Sequence, residues 1–301
     1  MNTVEKILEL KRGKKALVLA HYYQTMDIQN IADHVCDSFE MARRARDAEE
    51  ELLIICGVHF MAESAKILNP GKTVLLPAPD AGCPMADMIQ PGDVVALRAK
   101  YPDAAVVCYV NSSAAVKAVC DICCTSSSAV KIVRNLPEKQ IIFVPDRNLG
   151  AYVAAQVPEK EIILFEGFCP AHNRILDADA NAAKIEHPNA KFLIHPECRA
   201  EVLQYADYIG STSGIINEAL SSDCAEFVIG TEVGVVERLR VLAPEKTFYP
   251  LTGGFVCPNM KKCRLEDVQN SLEHLEFEIT LSPEEIAAAK RSLERMVELG
   301  V

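Results

Sequence analysis

The sequence predicts an α/β protein built from three related α/β/α domains with parallel sheets, arranged around a pseudo-threefold axis with the active site at the centre. Three observations predict it. Short apolar runs closed by a ring-bearing polar residue recur at Lys15–His21, Ala104–Tyr109 and Lys191–His195. A hydroxyl stands 17 residues past each ring, at Ser38, Ser126 and Thr212. A Cys-Pro dipeptide closes each unit, with Cys83, Cys169 and Cys257 lying 62, 60 and 62 residues past His21, Tyr109 and His195. Features recurring at a fixed period mark a repeated structural unit.

Each unit opens with its anchor run, short and apolar enough for a buried strand. The hydroxyl then precedes a helical pattern, at Phe39–Arg44, Ala129–Arg134 and Gly214–Leu220. Second apolar runs follow at Ile54–His59, Ile141–Asp146 and Phe227–Glu232, and third ones at Val74–Pro77, Ile162–Glu166 and Thr247–Leu251. Strands alternating with helices imply parallel sheets flanked by helices. The expected division is 1–83, 84–169 and 170–257, with the helices of 258–301 packing on the first unit. Ser282-Pro-Glu-Glu starts one of those helices with a capping box and proline at the first helical position. Ligands of open parallel sheets gather at the carboxyl ends of the strands, so the ring residues, hydroxyls and cysteines are expected on one edge of each unit.

Composition narrows the function. Half of the 301 residues are hydrophobic, enough for a sizeable core. A net charge of -11 argues against a nucleic-acid or anionic-membrane partner, which needs a basic field. Met1–Lys15 alternates charged with apolar residues and has no secretory core, and no run approaches a membrane span. Twelve cysteines in such a chain point to metal binding in a reducing, cytoplasmic compartment rather than to a disulfide scaffold.

One cysteine per unit gives three convergent thiolates, each expected near a helix N-terminus because proline follows it. A four-iron cluster normally takes four cysteines. Three leave one iron free to act as a Lewis acid. Structural zinc would want four ligands in paired short spacings. Cys120-x-x-Cys123-Cys124 looks like a redox or zinc motif, but it has no counterpart in the other units and is assigned to packing, as are Cys36, Cys56, Cys108, Cys198 and Cys224. Cys263 is expected to be a bystander, since six helical residues would carry it about 9 Å from Cys257. The three hydroxyls suit either N-capping or an anion cradle.

Ala20-His-Tyr-Tyr-Gln, Gly82-Cys-Pro-Met-Ala-Asp, Tyr109-Val-Asn-Ser-Ser, Cys124-Thr-Ser-Ser, Pro145-Asp-Arg-Asn-Leu-Gly, His195-Pro-Glu-Cys, Ser211-Thr-Ser-Gly and Gly230-Thr-Glu-Val-Gly resemble the signature segments of quinolinate synthases, in order and through nearly the whole chain. The resemblance implies a triangular fold around an oxygen-sensitive [4Fe-4S] cluster held by Cys83, Cys169 and Cys257. It implies condensation of iminosuccinate with dihydroxyacetone phosphate to quinolinate, phosphate and water, on the pathway to NAD. L-aspartate oxidase or aspartate dehydrogenase would supply the iminosuccinate. Members often carry a Cys-x-x-Cys-x-x-Cys run at the third ligand, whereas this chain has Cys257, Met260 and Cys263.

By the same resemblance His21, Ser38, Tyr109, Val110, Asn111, Ser126, His195, Pro196, Glu197 and Thr212 contact substrate. His195 and Glu197, two apart at a strand end, are assigned as an acid/base pair. Tyr23 and Tyr109 are expected to orient and protonate intermediates, and Asn111 to fix a carboxylate. His172 suits the cavity and a structural role equally, and Glu232 and Arg147 are expected to support or pack. Two other readings stay open: another iron-sulfur hydro-lyase acting on a hydroxy acid, and a cluster-based redox sensor.

Overall fold

In a computed structural model describing residues 2–300, β1 (Ala16–His21), β2 (His34–Cys36), β3 (Leu52–Cys56) and β4 (Thr73–Leu75) form one sheet. β5 (Ala105–Tyr109), β6 (Ile122–Cys124), β7 (Gln140–Val144) and β8 (Glu161–Leu164) form a second. β9 (Lys191–Ile194), β10 (Tyr208–Ile209), β11 (Glu226–Gly230) and β12 (Thr247–Pro250) form a third. All three are parallel, with the same order of second, first, third and fourth strand.

The central strands β1, β3 and β5 are buried along their whole length, which is why they read as unbroken apolar runs rather than as an alternation. Sequence analysis found three strands per unit; the structure has four. The extra ones, β2, β6 and β10, are two or three residues long, too short to show a period. Each enters just before the recurring hydroxyl, and so sets where that hydroxyl stands.

Strand order reverses between the first and third strand of each sheet. Their carboxyl ends therefore part into a crevice, the usual ligand position of such sheets. His21, Tyr109 and His195 stand at or just past one side of the three crevices, and the turns after Cys56, Val144 and Gly230 form the other.

The closing segment, expected on the first unit, lies on two. Helix Leu265–His274 packs on helix Thr3–Lys14. Residues 277–279 run along the edge strand β4, with Leu76 N–H on Phe277 O at 3.1 Å and Ile279 N–H on Val74 O at 2.9 Å. Helix Pro283–Leu299 then buries Ala289, Leu293, Met296 and Val297 against helix His59–Leu68 of the first unit and helix Ala114–Ala118 and β6 of the second. Its Ser292 and Arg295 donate to Lys117 O and Asp121 O. Among the described residues no helix is long and apolar enough to cross a membrane.

Candidate active site

The three crevices open into one cavity of about 440 Å³ lined by residues of all three units. His21, Tyr23, Ser38, Tyr109, Asn111, Ser126, His195, Glu197 and Thr212 line it together with Cys83, Cys169 and Cys257. Val110 and Pro196 do not. Each lies between two lining residues, Val110 in the bend after β5 and Pro196 in the turn after β9; Val110 instead borders a small void beneath Ser38 and Phe60.

None of the three recurring hydroxyls is a helix cap. Asp37 caps helix Ser38–Asp47 by accepting from Phe39 and Glu40 N–H, and Ser211 caps helix Thr212–Ser221 by accepting from Gly214 N–H. Ser126 lies ahead of helix Ala129–Asn135, whose N-cap is Ser128. Capping by the preceding residue leaves Ser38 and Thr212 at a helix start with their hydroxyls on the cavity.

His21 and His195 are held alike. Nδ1 of each accepts the backbone N–H two residues on, from Tyr23 at 3.1 Å and Glu197 at 3.3 Å. That bond assigns the ring proton to Nε2, which in His195 donates to Ser126 Oγ at 3.2 Å. Burial drives both imidazoles down to about 3, so they are neutral hydrogen-bond donors near neutral pH.

Glu197 is fully enclosed. Its Oε1 accepts the Tyr109 phenol at 2.6 Å and its Oε2 lies 2.8 Å from His172 Nδ1. His195 Nδ1 is farther, at 3.8 Å, so the nearest imidazole to this carboxylate is His172 rather than the partner read from sequence. Burial works to raise the Glu197 carboxyl, but His172, His195 and the Tyr109 hydrogen bond outweigh it and hold the group at about 2. The phenols of Tyr23 and Tyr109 are pushed the other way, first by burial and then by the Glu197 charge. One ionised carboxylate thus stands among protonated phenols, an arrangement able to take or give a proton at neighbouring atoms.

His172 extends this network. With Nδ1–H on Glu197, its Nε2 accepts from Thr231 Oγ1 at 3.1 Å. Thr231 Oγ1 in turn accepts the Tyr23 phenol at 2.7 Å, and Tyr23 accepts from Thr212 at 3.1 Å. Every donor in the chain points toward Glu197.

The three cysteine sulfurs are not all within 4.8 Å of one another, as the ligand atoms of Cys169, His172 and Glu197 are. One tetrahedral zinc, with bonds of about 2.3 Å, would need sulfurs about 4 Å apart. A wider trio facing one cavity fits a multi-iron cluster, whereas a single ion at Cys169, His172 and Glu197 would compete for a carboxylate already held by Tyr109. Backbone N–H groups just past each proline aim at the sulfurs: Ala86 and Met85 at Cys83, His172 at Cys169, Met260 and Asn259 at Cys257. Such N–H groups stabilise thiolate sulfur.

The expectation of a helix N-terminus at each cysteine needs correction. Only Cys169 leads into an α-helix, the single turn Pro170–Asn173; Cys83 and Cys257 lead into 3-10 turns at Ala86–Met88 and Asn259–Lys261. Burial also outweighs these N–H groups and pushes the free thiols up, Cys83 to about 12. A cluster's positive charge would reverse that, because a coordinating thiol is deprotonated outright.

Sequence reasoning missed Arg174, whose guanidinium donates to Gly254 O and Val256 O and which, among the described residues, is the one lysine or arginine lining the cavity. It also missed Thr231 and Lys261, which touch Tyr23 across more than 200 residues of chain. Cys123 and Cys124 are fully buried at β6, and Cys263 is buried beside Cys56. Arg147 pairs with Glu166 at the surface.

A family model described as Quinolinate synthetase A protein matches residues 5–298. The chain is similar to a quinolinate synthase of Caldicellulosiruptor saccharolyticus, 54% identical over 295 residues, 98% of this chain and 97% of that protein. It is also similar to a quinolinate synthase of Alkaliphilus metalliredigens, 49% identical with 99% and 98% covered, and to quinolinate synthase 2 of Methanosarcina acetivorans, 49% identical with 98% and 95% covered.

Proposed function

The chain belongs to the quinolinate synthase family, enzymes of NAD biosynthesis, and on that premise we propose that it condenses iminosuccinate with dihydroxyacetone phosphate to give quinolinate, phosphate and water. The observation that carries the reading is the meeting of three units' strand ends in one cavity, with three thiols on its wall beside an ionised Glu197.

Cys83, Cys169 and Cys257 would hold a [4Fe-4S] cluster. When bound, it supplies an iron without a protein ligand, a Lewis acid toward substrate oxygen. Both substrates are anions, and the hydroxyls of Ser38 and Ser126 with the neutral Nε2–H of His21 would bind them without a buried cation, while Thr212, whose hydrogen goes to Tyr23, offers an acceptor to a substrate hydroxyl. Asn111 Oδ1, buried and without a hydrogen-bond partner, is free for a substrate donor such as an imine or hydroxyl hydrogen, and the Asn111 amide N–H would hold a carboxylate. Arg174 at the cavity wall would draw phosphate or carboxylate inward.

Glu197 is the base that takes a proton from substrate carbon, and Tyr109, already bonded to it, is the acid that returns one to a leaving oxygen. Tyr23 and His195 orient the intermediates. The walls are largely apolar apart from these groups, which keeps water from the reactive imine. Iminosuccinate would come from L-aspartate oxidase or aspartate dehydrogenase, and the enzyme would work in the cytoplasm.

The test is to incubate anaerobically purified protein with both substrates and measure pyridine-2,3-dicarboxylate and phosphate together. Equal amounts of the two are expected. Protein with its full iron that releases neither would refute the reaction.

A further inference from the structure

Three cysteines outside the cavity meet on one face of the second sheet. Cys108 of β5 and Cys123 of β6 are register partners on adjacent parallel strands, so their side chains share a face, with Cys124 on the opposite one. Cys120 stands in the turn between helix Ala114–Ala118 and β6, part-exposed, while Cys108 and Cys123 are fully buried. The Cys120 and Cys123 thiols both lie within hydrogen-bonding reach of the Cys108 sulfur. Cys123 is also tied elsewhere, donating to Ser292 Oγ of the closing helix at 3.4 Å.

Lys117 belongs to the same cluster. It is fully buried, its Nζ donates to Ser112 O at 2.5 Å and stands 5.4 Å from the centre of the Phe60 ring, and among the described residues no carboxylate pairs with it. A buried ammonium without a counter-charge is costly, and the Cys108 sulfur beside it is able to carry one. As a thiol Cys108 has Tyr109 O at 3.4 Å for its hydrogen. Hydrogen bonds from Cys120 and then Cys123 outweigh burial, however, and with Ser112 and Lys117 they hold the Cys108 thiol well below its usual range. Cys120 is pushed the other way, first by its bond to Cys108. The three sulfurs are not all within 4.8 Å of one another, so they offer no ready seat for a single ion. Exchange between pairs of sulfurs suits them better.

We propose that Cys108 and Cys120 form a dithiol site that reacts with low-molecular-weight disulfides: Cys120 is the entry sulfur, and Cys108 resolves the mixed adduct into an internal bridge. Cys108 takes the Cys120 proton across their hydrogen bond, and Cys120 attacks one sulfur of the reagent, breaking its S–S bond and releasing a thiolate. The proton passes from Cys108 to that thiolate, which leaves as a thiol. Cys108 then attacks the Cys120 sulfur and expels the other half of the reagent as a thiolate, which takes its proton from water. Two protein sulfurs are oxidised, and the reagent is reduced to two thiols. Closing the bridge removes the counter-charge of Lys117, which holds Ser112 O next to Asn111 and packs on Phe60, and both Asn111 and Phe60 line the cavity. Turnover is therefore expected to respond to the bridge, and that effect rests on the reaction proposed above.

The test is to incubate anaerobically purified, iron-loaded protein with oxidised glutathione, quench it by alkylation and map the cysteines by mass spectrometry, with turnover followed in parallel. Cys120 is expected to pass through a transient glutathione adduct to a Cys108–Cys120 bridge. Cys224, exposed just before β11, should keep its adduct, and Cys124 should stay unmodified. In Cys108→Ser the adduct on Cys120 should persist, while in Cys123→Ser the bridge should still form. The bridge is expected to lower kcat about tenfold, the cost of displaced cavity groups, and dithiothreitol to restore it. A wild-type Cys120 adduct as lasting as that on Cys224, or a bridge that uses Cys123, overturns the proposal. A complete bridge with unchanged kcat overturns its link to the cavity. If the protein makes no quinolinate, the reaction assignment fails, while the cysteine map still decides the bridge.

Discussion

Glu197 concentrates the charge of the site, and its partners make its behaviour testable. Glu197→Gln keeps the shape and loses the charge. It is expected to leave iron content unchanged and lower kcat by about 10²-fold or more, the scale of a positioned acid or base. Retained turnover with iron intact would move Glu197 to a structural role. The buried histidines set the pH response. His21 and His195 are depressed to about 3 from 6.5, and Glu197 to about 2 from 4.5. A depressed folded-state value means that the unfolded chain binds protons first as pH falls, so the stability these groups contribute is present above the unfolded values and lost below them. Thermal unfolding of the metal-free protein is therefore expected to fall in midpoint from about pH 6.5 downward. The fall should be shallower in the His21→Gln, His195→Gln double variant, and equal slopes would contradict the burial argument. His21 and His195 were legible because they recur in the repeat. His172 was not separable from packing, because only the fold brings it to 2.8 Å from Glu197.

Among the elements, the long buried strands were legible and the short ones were not. β1, β3 and β5 are apolar throughout because both faces are covered, whereas β10 has two residues and carries no pattern. The recurring hydroxyls read equally as caps or as an anion cradle, and the structure separates the two roles: Asp37 and Ser211 cap, and Ser38 and Thr212 face the cavity. Asp37→Ala and Ser211→Ala are thus expected to destabilise the fold by about 1 kcal/mol each, the usual loss for a cap. Ser38→Ala and Thr212→Ala should leave the unfolding midpoint nearly unchanged and raise KM. The opposite pattern would return the recurring hydroxyls to capping. The Cys-Pro turns yield a second comparison. Cys257 carries the aimed N–H groups of Met260 and Asn259 and lines the cavity, while Cys263 is buried beside Cys56. After anaerobic reconstitution Cys257→Ser is expected to lose iron and visible absorption, and Cys263→Ser to keep both. A reversed result would displace Cys257 as a ligand.

At the scale of the molecule, repetition explains why so much of the site could be read. Three sheets of one topology deliver their carboxyl ends to one cavity, so matching positions in the sequence become neighbours in space. Contacts between units have no counterpart in the repeat and could not be read: Thr231 on Tyr23, Lys261 on Tyr23, and helix Pro283–Leu299 across two units. Their partners lie too far apart in the chain for any local pattern to join them. The central claim is that three protein thiolates hold a four-iron cluster whose remaining iron faces the substrate. Its most direct test is the Mössbauer spectrum of protein loaded anaerobically with iron-57, taken with and without quinolinate. About a quarter of the iron signal is expected to change on adding quinolinate, with the rest unmoved. A spectrum in which all the iron is alike and indifferent to quinolinate, or protein that holds no cluster, would contradict the account.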